Sequence, residues 1–311
     1  MSVCPLSGSN DVEHLEDVRT ADLVALYRRV LKTDVANEFG GAKTLALQRC
    51  RDCDLRFFDP STPGSEKLYE QLQRFDWYYR DFKTEYRFAA RFIRPGDRVL
   101  DVGCGYGAFG AISPSPDYTG LELSGTAVAQ ARAAGLNVQK ETIESHAATH
   151  AGQYDVVCSF QVLEHLREPL AFVEAALRCL KPGGHLILSV PSVDSYSSMM
   201  TNFVLDLPPH HVTRWSDRTL ERLADLAGAE HVETWHEPLP DNQRPLFVSE
   251  VLRYRLRKMS GAKPKAVDNS LSFRFFGLLS RVLARTVGEA FMDERIGARG
   301  VFAAAAYRKR A

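Results

Sequence analysis

Between Arg98 and Pro191 the chain alternates short apolar runs with spans of helical spacing, and this restricts the fold more than any other feature of its 311 residues. RVLDVG, DYTGLELS, NVQKE, YDVVCSF and HLILSVP read as strands. Between them lie a helix-like span after RVLDVG, a helix ending at Gly135, and a helix with Leu166, Leu170, Val173, Leu177 and Leu180, bounded by Pro169 and Gly183. SDRTLERLADLAG adds a helix, and HVETW and GVFAAAAYRK add two strands. Such alternation predicts an α/β fold: a doubly wound, mostly parallel seven-stranded sheet with helices on both faces. The expected organisation is a small N-terminal appendage at 1–60, a core at 61–240, a helical insertion at 241–297 and a final core strand and tail at 298–311.

The first of these strands runs into VLDVGCGYGAFG, which contains a G-x-G-x-x-G at Gly105, Gly107 and Gly110. Glycines allow positive φ and bring backbone N–H groups close to a ligand, so the turn suits nucleotides in general. A dinucleotide fingerprint wants an acid about twenty residues on, and Glu122 is near that spacing. Spacing therefore leaves a nicotinamide cofactor open, but charge does not. Asp101 at the strand end would repel a pyrophosphate and attract the ammonium of an amino acid, directly or through water. The ligand that joins an amino acid to a ribose and an adenine is S-adenosylmethionine.

Taken together, these segments resemble the class I S-adenosylmethionine-dependent methyltransferases. VLDVGCGYG is similar to their first motif, and Glu122 in LELS to the acid that grips the ribose hydroxyls. QKETIES places Thr142, Ile143 and Glu144 where the adenine is usually contacted, and YDVVCSFQVLEHL and LKPGGHLILSVP follow in family order. The resemblance covers roughly residues 75 to 240 and implies a Rossmann-like fold. It implies donor contacts from Asp101, Gly103, Gly105, Gly107, Glu122, Leu123, Glu144 and Gln161. Tyr78 and Tyr79 in WYYRDFKTEYR resemble the tyrosine-containing helix that closes over the cofactor, with Tyr79 in contact. A tight structural turn, an N-cap acid beside Ser124 and a packing aromatic pair are the plainer readings of the same residues.

Methyl transfer from a sulfonium needs alignment of the acceptor and, for a hydroxyl, removal of its proton. His165 follows the fourth strand, where open parallel sheets hold ligands. His210 and His211 in LPPHHVTRWS precede a helix with Ser216 as its expected cap. Relatives that methylate nucleotide-linked sugars resemble this arrangement, which ranks His211 first as base, ahead of His210 and His165. A histidine that only bonds a loop carbonyl is the plainer alternative.

Cys4-x-x-Ser7 and Cys50-x-x-Cys53 resemble a two-knuckle zinc ribbon broken at its second ligand, with Cys4, Cys50 and Cys53 as expected metal ligands and His14 as a substitute fourth. TLALQRC and LRFFDP flank the second pair as strands. An amphipathic helix precedes them with Leu23, Leu26, Tyr27, Val30 and Leu31 on one face. A further helical pattern places Phe82, Tyr86, Ala89, Ala90 and Ile93 together. Cys104, Cys158 and Cys179 sit in apolar or Gly-rich segments, as in a reduced core.

The 39 basic and 39 acidic residues cancel, which argues against a broad nucleic-acid-binding surface. The tetrad expected of exocyclic-amine methylation is absent after the fourth strand. No apolar run of membrane-spanning length is present, and MSVCPLSGSNDVEHLED lacks the order of a signal peptide, so a cytoplasmic location is expected. Residues 251–285 carry nine Arg or Lys against one Asp. Their second helix is expected to bury Phe275, Leu279 and Val282. This segment reads as a lid, or as a basic face for an anionic acceptor or a peripheral membrane contact. The expected activity is methyl transfer to a small molecule, a nucleotide sugar or a lipid-linked glycan, most simply at oxygen; the alternative is a cofactor-binding scaffold or regulatory subunit that does not react.

Overall fold

The computed structural model describes residues 2–75, 78, 82–287 and 299–310. The N-terminal part runs β1 (Val12–Arg19), α1 (Thr20–Leu31), β2 (Thr44–Cys50), β3 (Arg56–Asp59), α2 (Glu66–Gln73) and α3 (Thr84–Ala90). The alternating region follows as β4 (Val99–Val102), β5 (Tyr118–Leu121), α4 (Gly125–Ala133), β6 (Val138–Gln139), α5 (Ile143–Thr149), β7 (Tyr154–Phe160), α6 (Pro169–Cys179) and β8 (Leu180–Pro191). Then come β9 (Thr213–Arg214), α7 (Asp217–Leu226), β10 (Ala229–Pro238), α8 (Arg244–Met259), α9 (Leu271–Val287) and β11 (Arg299–Lys309).

The seven-stranded sheet has the order β10-β11-β8-β7-β4-β5-β6. Five strands, β8 to β6 across that order, are parallel, and β11 runs antiparallel between β8 and β10. The fold is therefore the expected Rossmann-like one. Alternate residues feed two cores: Leu100, Val157, Leu188 and Ala305 meet α6 and α7 on one face, while Val99, Val156, Ile187 and Ala304 meet α3 on the other. Burial on both faces explains why these strands read as continuous apolar runs. Ala303–Ala306 in β11 are fully buried, and small side chains there let helices approach the sheet on both sides.

Several expectations need correction. No α-helix follows β4; the chain turns through Gly103, Gly105 and Gly107 at positive φ and makes only a 3-10 turn at Gly110–Ile112. Glycines at left-handed φ cannot sit in a helix, so the spacing misled there. Leu166 precedes α6 because Pro169 takes its first turn, and Leu180 already begins β8. In α1 Val30 is half exposed, the buried face being Leu23, Leu26, Tyr27 and Leu31. Phe82 lies outside α3 and exposed, and Phe88 packs in its place.

In α9, Phe275 and Val282 are 62% and 53% exposed. Its packed face carries Gly277, Ser280, Leu283 and Ala284 instead, since small residues let it lie against α8, with Ser249 Oγ 3.4 Å from Ser280 Oγ. Also unforeseen was the extent of the second sheet, a four-stranded antiparallel β1-β2-β3-β9. The charged edge strand β1 has no apolar alternation to betray it, and β9 arrives from beyond residue 200.

Candidate active site

Where β4 ends, the backbone rises into the glycine turn. Gly103, Gly105 and Gly107 have φ of 76°, 56° and 87°, and a Cβ at Gly103 would stand 2.5 Å from Val162 Cγ2. The turn is tied to the end of β5 by Glu122. Its Oε2 accepts from Gly105 N at 2.9 Å, and its Oε1 accepts from Leu123 N and Ser124 N, each at 2.8 Å. A carboxylate accepts about four hydrogen bonds and three are taken here, so the half-buried Glu122 keeps an acceptor site on Oε2 for a ribose hydroxyl. Ser124 caps α4 as the plainer reading required, accepting from Ala127 N.

Asp101 is buried at the last turn of β4. Its Oδ2 accepts from the Tyr118 hydroxyl at 2.8 Å, whereas its Oδ1 is buried without a partner among the described residues. Burial pushes its pKa up to about 7, against the Tyr118 hydrogen bond and the Lys83 charge. An orphaned buried carboxylate oxygen beside a glycine turn is the environment an incoming ammonium would complete.

Of the remaining expected donor contacts, Leu123 is exposed next to Glu122, and Glu144 is exposed in the first turn of α5. Gln161, at φ 61° just after β7, donates to Glu85 Oε1 at 2.5 Å. Tyr79 lies outside the described residues. Sequence reasoning missed Glu85, buried on α3, and Lys83, whose charge acts on Asp101, Glu164 and His165 together.

The three histidines converge, although His165 follows β7 and the others precede β9. Val212 N donates to Glu164 O at 2.8 Å and the Thr213 hydroxyl to Leu163 O at 3.3 Å, which fastens the two loops. Downstream, Ser216 caps α7 in a reciprocal box with Thr219, and buried Trp215 donates to Thr213 Oγ1. One ring nitrogen of each histidine lies within 4.8 Å of the others.

Their outer nitrogens are all engaged. His165 Nδ1 donates to the His210 carbonyl at 2.6 Å, and His210 Nδ1 to the Leu205 carbonyl at 2.8 Å. The Tyr78 hydroxyl stands 3.2 Å from His210 Nε2. His211 is set differently: its Nδ1 faces Asp206 Oδ1 at 3.3 Å, and Arg214 holds that carboxylate at 3.1 Å. A carboxylate at Nδ1 fixes the tautomer that leaves Nε2 free to take a proton. Burial lowers all three histidines, His165 to about 4 and the other two well below the ordinary value, so they are neutral near pH 7. Beside them Glu164 is fully buried, both its oxygens lack hydrogen bonds among the described residues, and burial pushes its pKa up to about 8. Its Oε1 lies 3.8 Å from His211 Nε2.

A family model described as a methyltransferase domain matches residues 70–234, more than half of the chain. The chain belongs to the methyltransferase domain family. The class I resemblance therefore stands, and with it an enzyme whose methyl donor is S-adenosylmethionine; the orphaned Asp101 oxygen and the glycine turn fit that donor. Among curated relatives, the ubiquinone biosynthesis O-methyltransferase of Cronobacter sakazakii is 36% identical over 126 residues, covering 37% of this chain and 52% of the relative. The enzyme of the same name from Pectobacterium atrosepticum is 32% identical over 157 residues, covering 43% and 65%. The chain thus spans about half to two thirds of the length of these relatives. Among solved structures, a methyltransferase of Thermotoga maritima described as a possible histamine N-methyltransferase is 17% identical, with coverage of 79% and 97% and a TM-score of 0.48.

In a separate cluster, Cys4, Cys50 and Cys53 are buried together with their sulfurs within 4.8 Å of one another. Ser7 occupies the fourth corner: its N donates to Cys4 Sγ at 3.5 Å and its Oγ is 3.3 Å from Cys50 Sγ. The neighbouring Cys53 thiol, 3.6 Å away, lowers the pKa of Cys4 by its hydrogen bond, and the same contact together with burial pushes Cys53 up. His14 is elsewhere, half exposed and bonded to Asp17. Three sulfurs and a hydroxyl fall short of the closed Cys/His set that zinc prefers. Ser7→Cys is expected to raise the zinc content of purified protein towards about one ion per chain, measured by elemental analysis; an unchanged content would show that the knuckle cannot close on a metal.

Proposed function

We propose that the protein transfers a methyl group from S-adenosylmethionine to a hydroxyl oxygen of a small-molecule acceptor, with His211 as the base. The observation that carries this reading is the Asp206–His211 pair, which leaves Nε2 of a buried imidazole without a hydrogen bond, with Glu164 Oε1 3.8 Å from it. Asp101 would hold the donor's ammonium, the turn at 103–107 its backbone and Glu122 its ribose hydroxyls; Leu123, Glu144, Gln161 and Tyr79 complete the proposed contacts. The acceptor oxygen attacks the methyl carbon as the carbon–sulfur bond breaks towards sulfur, and its proton passes to His211 Nε2. Asp206 stabilises the imidazolium so formed. The curated relatives, named as O-methyltransferases, support oxygen as the acceptor atom.

A nucleotide sugar or lipid-linked glycan is the finer acceptor reading, supported by the basic composition of 251–285. The six free cysteines support a reducing compartment such as the cytoplasm, and no described helix is long and apolar enough to cross a membrane. Peripheral membrane contact draws support from the exposed stripe Leu271, Phe275, Leu278 and Val282 on α9. Calorimetric titration with S-adenosylmethionine and with NAD tests the donor, and release of S-adenosylhomocysteine across a panel of hydroxylated acceptors tests the reaction. Saturable NAD binding with none for the methyl donor would overturn the reading.

The orphaned Glu164 carboxylate favours a second reading of the same cluster, as a divalent-metal centre. Three convergent histidines, each fixed at Nδ1 by an oxygen, plus a carboxylate are a donor set suited to a first-row divalent ion. Glu164→Gln separates the two. On the metal reading, bound metal measured after purification falls and activity becomes dependent on added ion. On the base reading the protein carries no stoichiometric metal and chelation leaves turnover unchanged.

A further inference from the structure

Where the second sheet, the segment 198–201, α8 and the chain that follows it meet, the structure holds a partly open cavity of about 180 Å³. Four arginines line it, Arg56 of β3, Arg214 of β9, and Arg253 and Arg257 of α8, with three lysines between 258 and 265 at its edge. Glu16 is the one carboxylate among the lining residues. Arg214, Arg253 and Arg257 are balanced by Asp206, Glu250 and Asp268. Arg56 and the three lysines have no ion pair among the described residues. The Nε–H groups of Arg56 and Arg257 are also buried without an acceptor.

Unmatched cations gathered around one partly open cavity call for an anion with several acceptor oxygens. The guanidinium fork matches phosphate geometry, and it does so better than an ammonium does. Size narrows the ligand further. The volume is about six times the share of one water in the liquid, enough for a phosphate or diphosphate group. The place is also telling: Arg214, which lines the cavity, grips both the backbone carbonyl and the carboxylate of Asp206, and that carboxylate orients His211.

We propose that this cavity is a phosphoryl-binding subsite that holds the phosphate or diphosphate group of the methyl acceptor while the rest of the molecule extends towards His211. The proposal rests on the reading of His211 as the base. It predicts that acceptors bearing a phosphoryl group are methylated in preference to their dephosphorylated forms.

The test is calorimetric titration of inorganic pyrophosphate into the full chain, with a parallel titration of S-adenosylmethionine. Saturable pyrophosphate binding is expected, weaker at raised salt. It should weaken by about tenfold or more in Lys263→Ala/Lys265→Ala, whose side chains are exposed and carry no fold, and also in Arg56→Ala, checked for an unchanged melting temperature. Donor binding should be untouched in both. No saturable pyrophosphate binding in protein that binds the donor, or equal affinity in the wild type and both variants, overturns the subsite. Pyrophosphate binding without donor binding would keep the subsite and remove the methyl-transfer reading. If the lysine variant loses only its attachment to phosphatidylglycerol-containing vesicles, and free pyrophosphate never binds, the cations serve lipid headgroups and the proposal falls.

Discussion

His211→Ala is expected to lower the turnover of an oxygen acceptor by about 10²–10⁴-fold, the usual contribution of a positioned base, while the affinity for S-adenosylmethionine stays unchanged. The split follows from the geometry. His211 is held by Asp206 and the loop before β9, whereas the donor turn is held by β4, β5 and Glu122. Asp206→Asn should reproduce part of the loss, because the carboxylate that stabilises the imidazolium is gone while the side-chain shape is kept. His210→Ala should have the smaller effect, since both nitrogens of His210 already face fixed partners, the Leu205 carbonyl and the Tyr78 hydroxyl. Steady-state kinetics with a donor-saturated enzyme checks this. An unchanged rate in His211→Ala would move the base to another residue or remove it from the mechanism.

Asp101→Ala should weaken donor binding by roughly 1–3 kcal/mol, the worth of a hydrogen bond to a charged group in a buried setting, or about fivefold to over a hundredfold. The same carboxylate gives the binding a pH dependence. In the free protein its pKa is raised from 3.8 to about 7, with burial as the leading cause. The ionised form attracts an ammonium, so affinity is full above about 7 and falls as the pH drops through it. Stability moves the other way. A carboxyl whose folded pKa is raised favours the fold below its ordinary value of 3.8, and that contribution is lost as the pH rises to about 7. Melting curves with and without donor across this window should diverge as the pH rises, and in Asp101→Ala the divergence should flatten.

The parts of this site that were legible in the sequence are those whose causes are local. Asp101, the glycines and Glu122 lie at strand ends, and strand ends could be read because each parallel strand is apolar on both faces. The Ser216 cap was legible for the same reason, being a matter of four consecutive residues. The gathering of His165 with His210 and His211 had no local sign, because it depends on Val212 N meeting Glu164 O and on β9 pairing with β3. Asp206 did leave a trace, an acid four residues before a His pair in LDLPPHH, and Glu164 stood beside His165 in the segment already singled out. Lys83 and Glu85 left none: they reach the site only because α3 covers the sheet. The face of α9 was misjudged because hydropathy favours Phe275 and Val282, whereas close helix crossing favours Gly277 and Ser280.

The strand pair β3–β9 bears on the order in which the molecule is assembled. Tyr27 on α1 donates to the Leu207 carbonyl at 2.8 Å across 180 positions of chain, and Phe58 N to Val212 O beside it. Contacts this distant in sequence close late, after local strand and helix pairs have formed. The donor turn, built between β4 and β5, can mature while the chain is still incomplete, but the histidine loop takes its shape only once the first sixty residues have docked on it. A shortened chain beginning after residue 60 would therefore retain the means to bind the donor and lose the wall that aims the base.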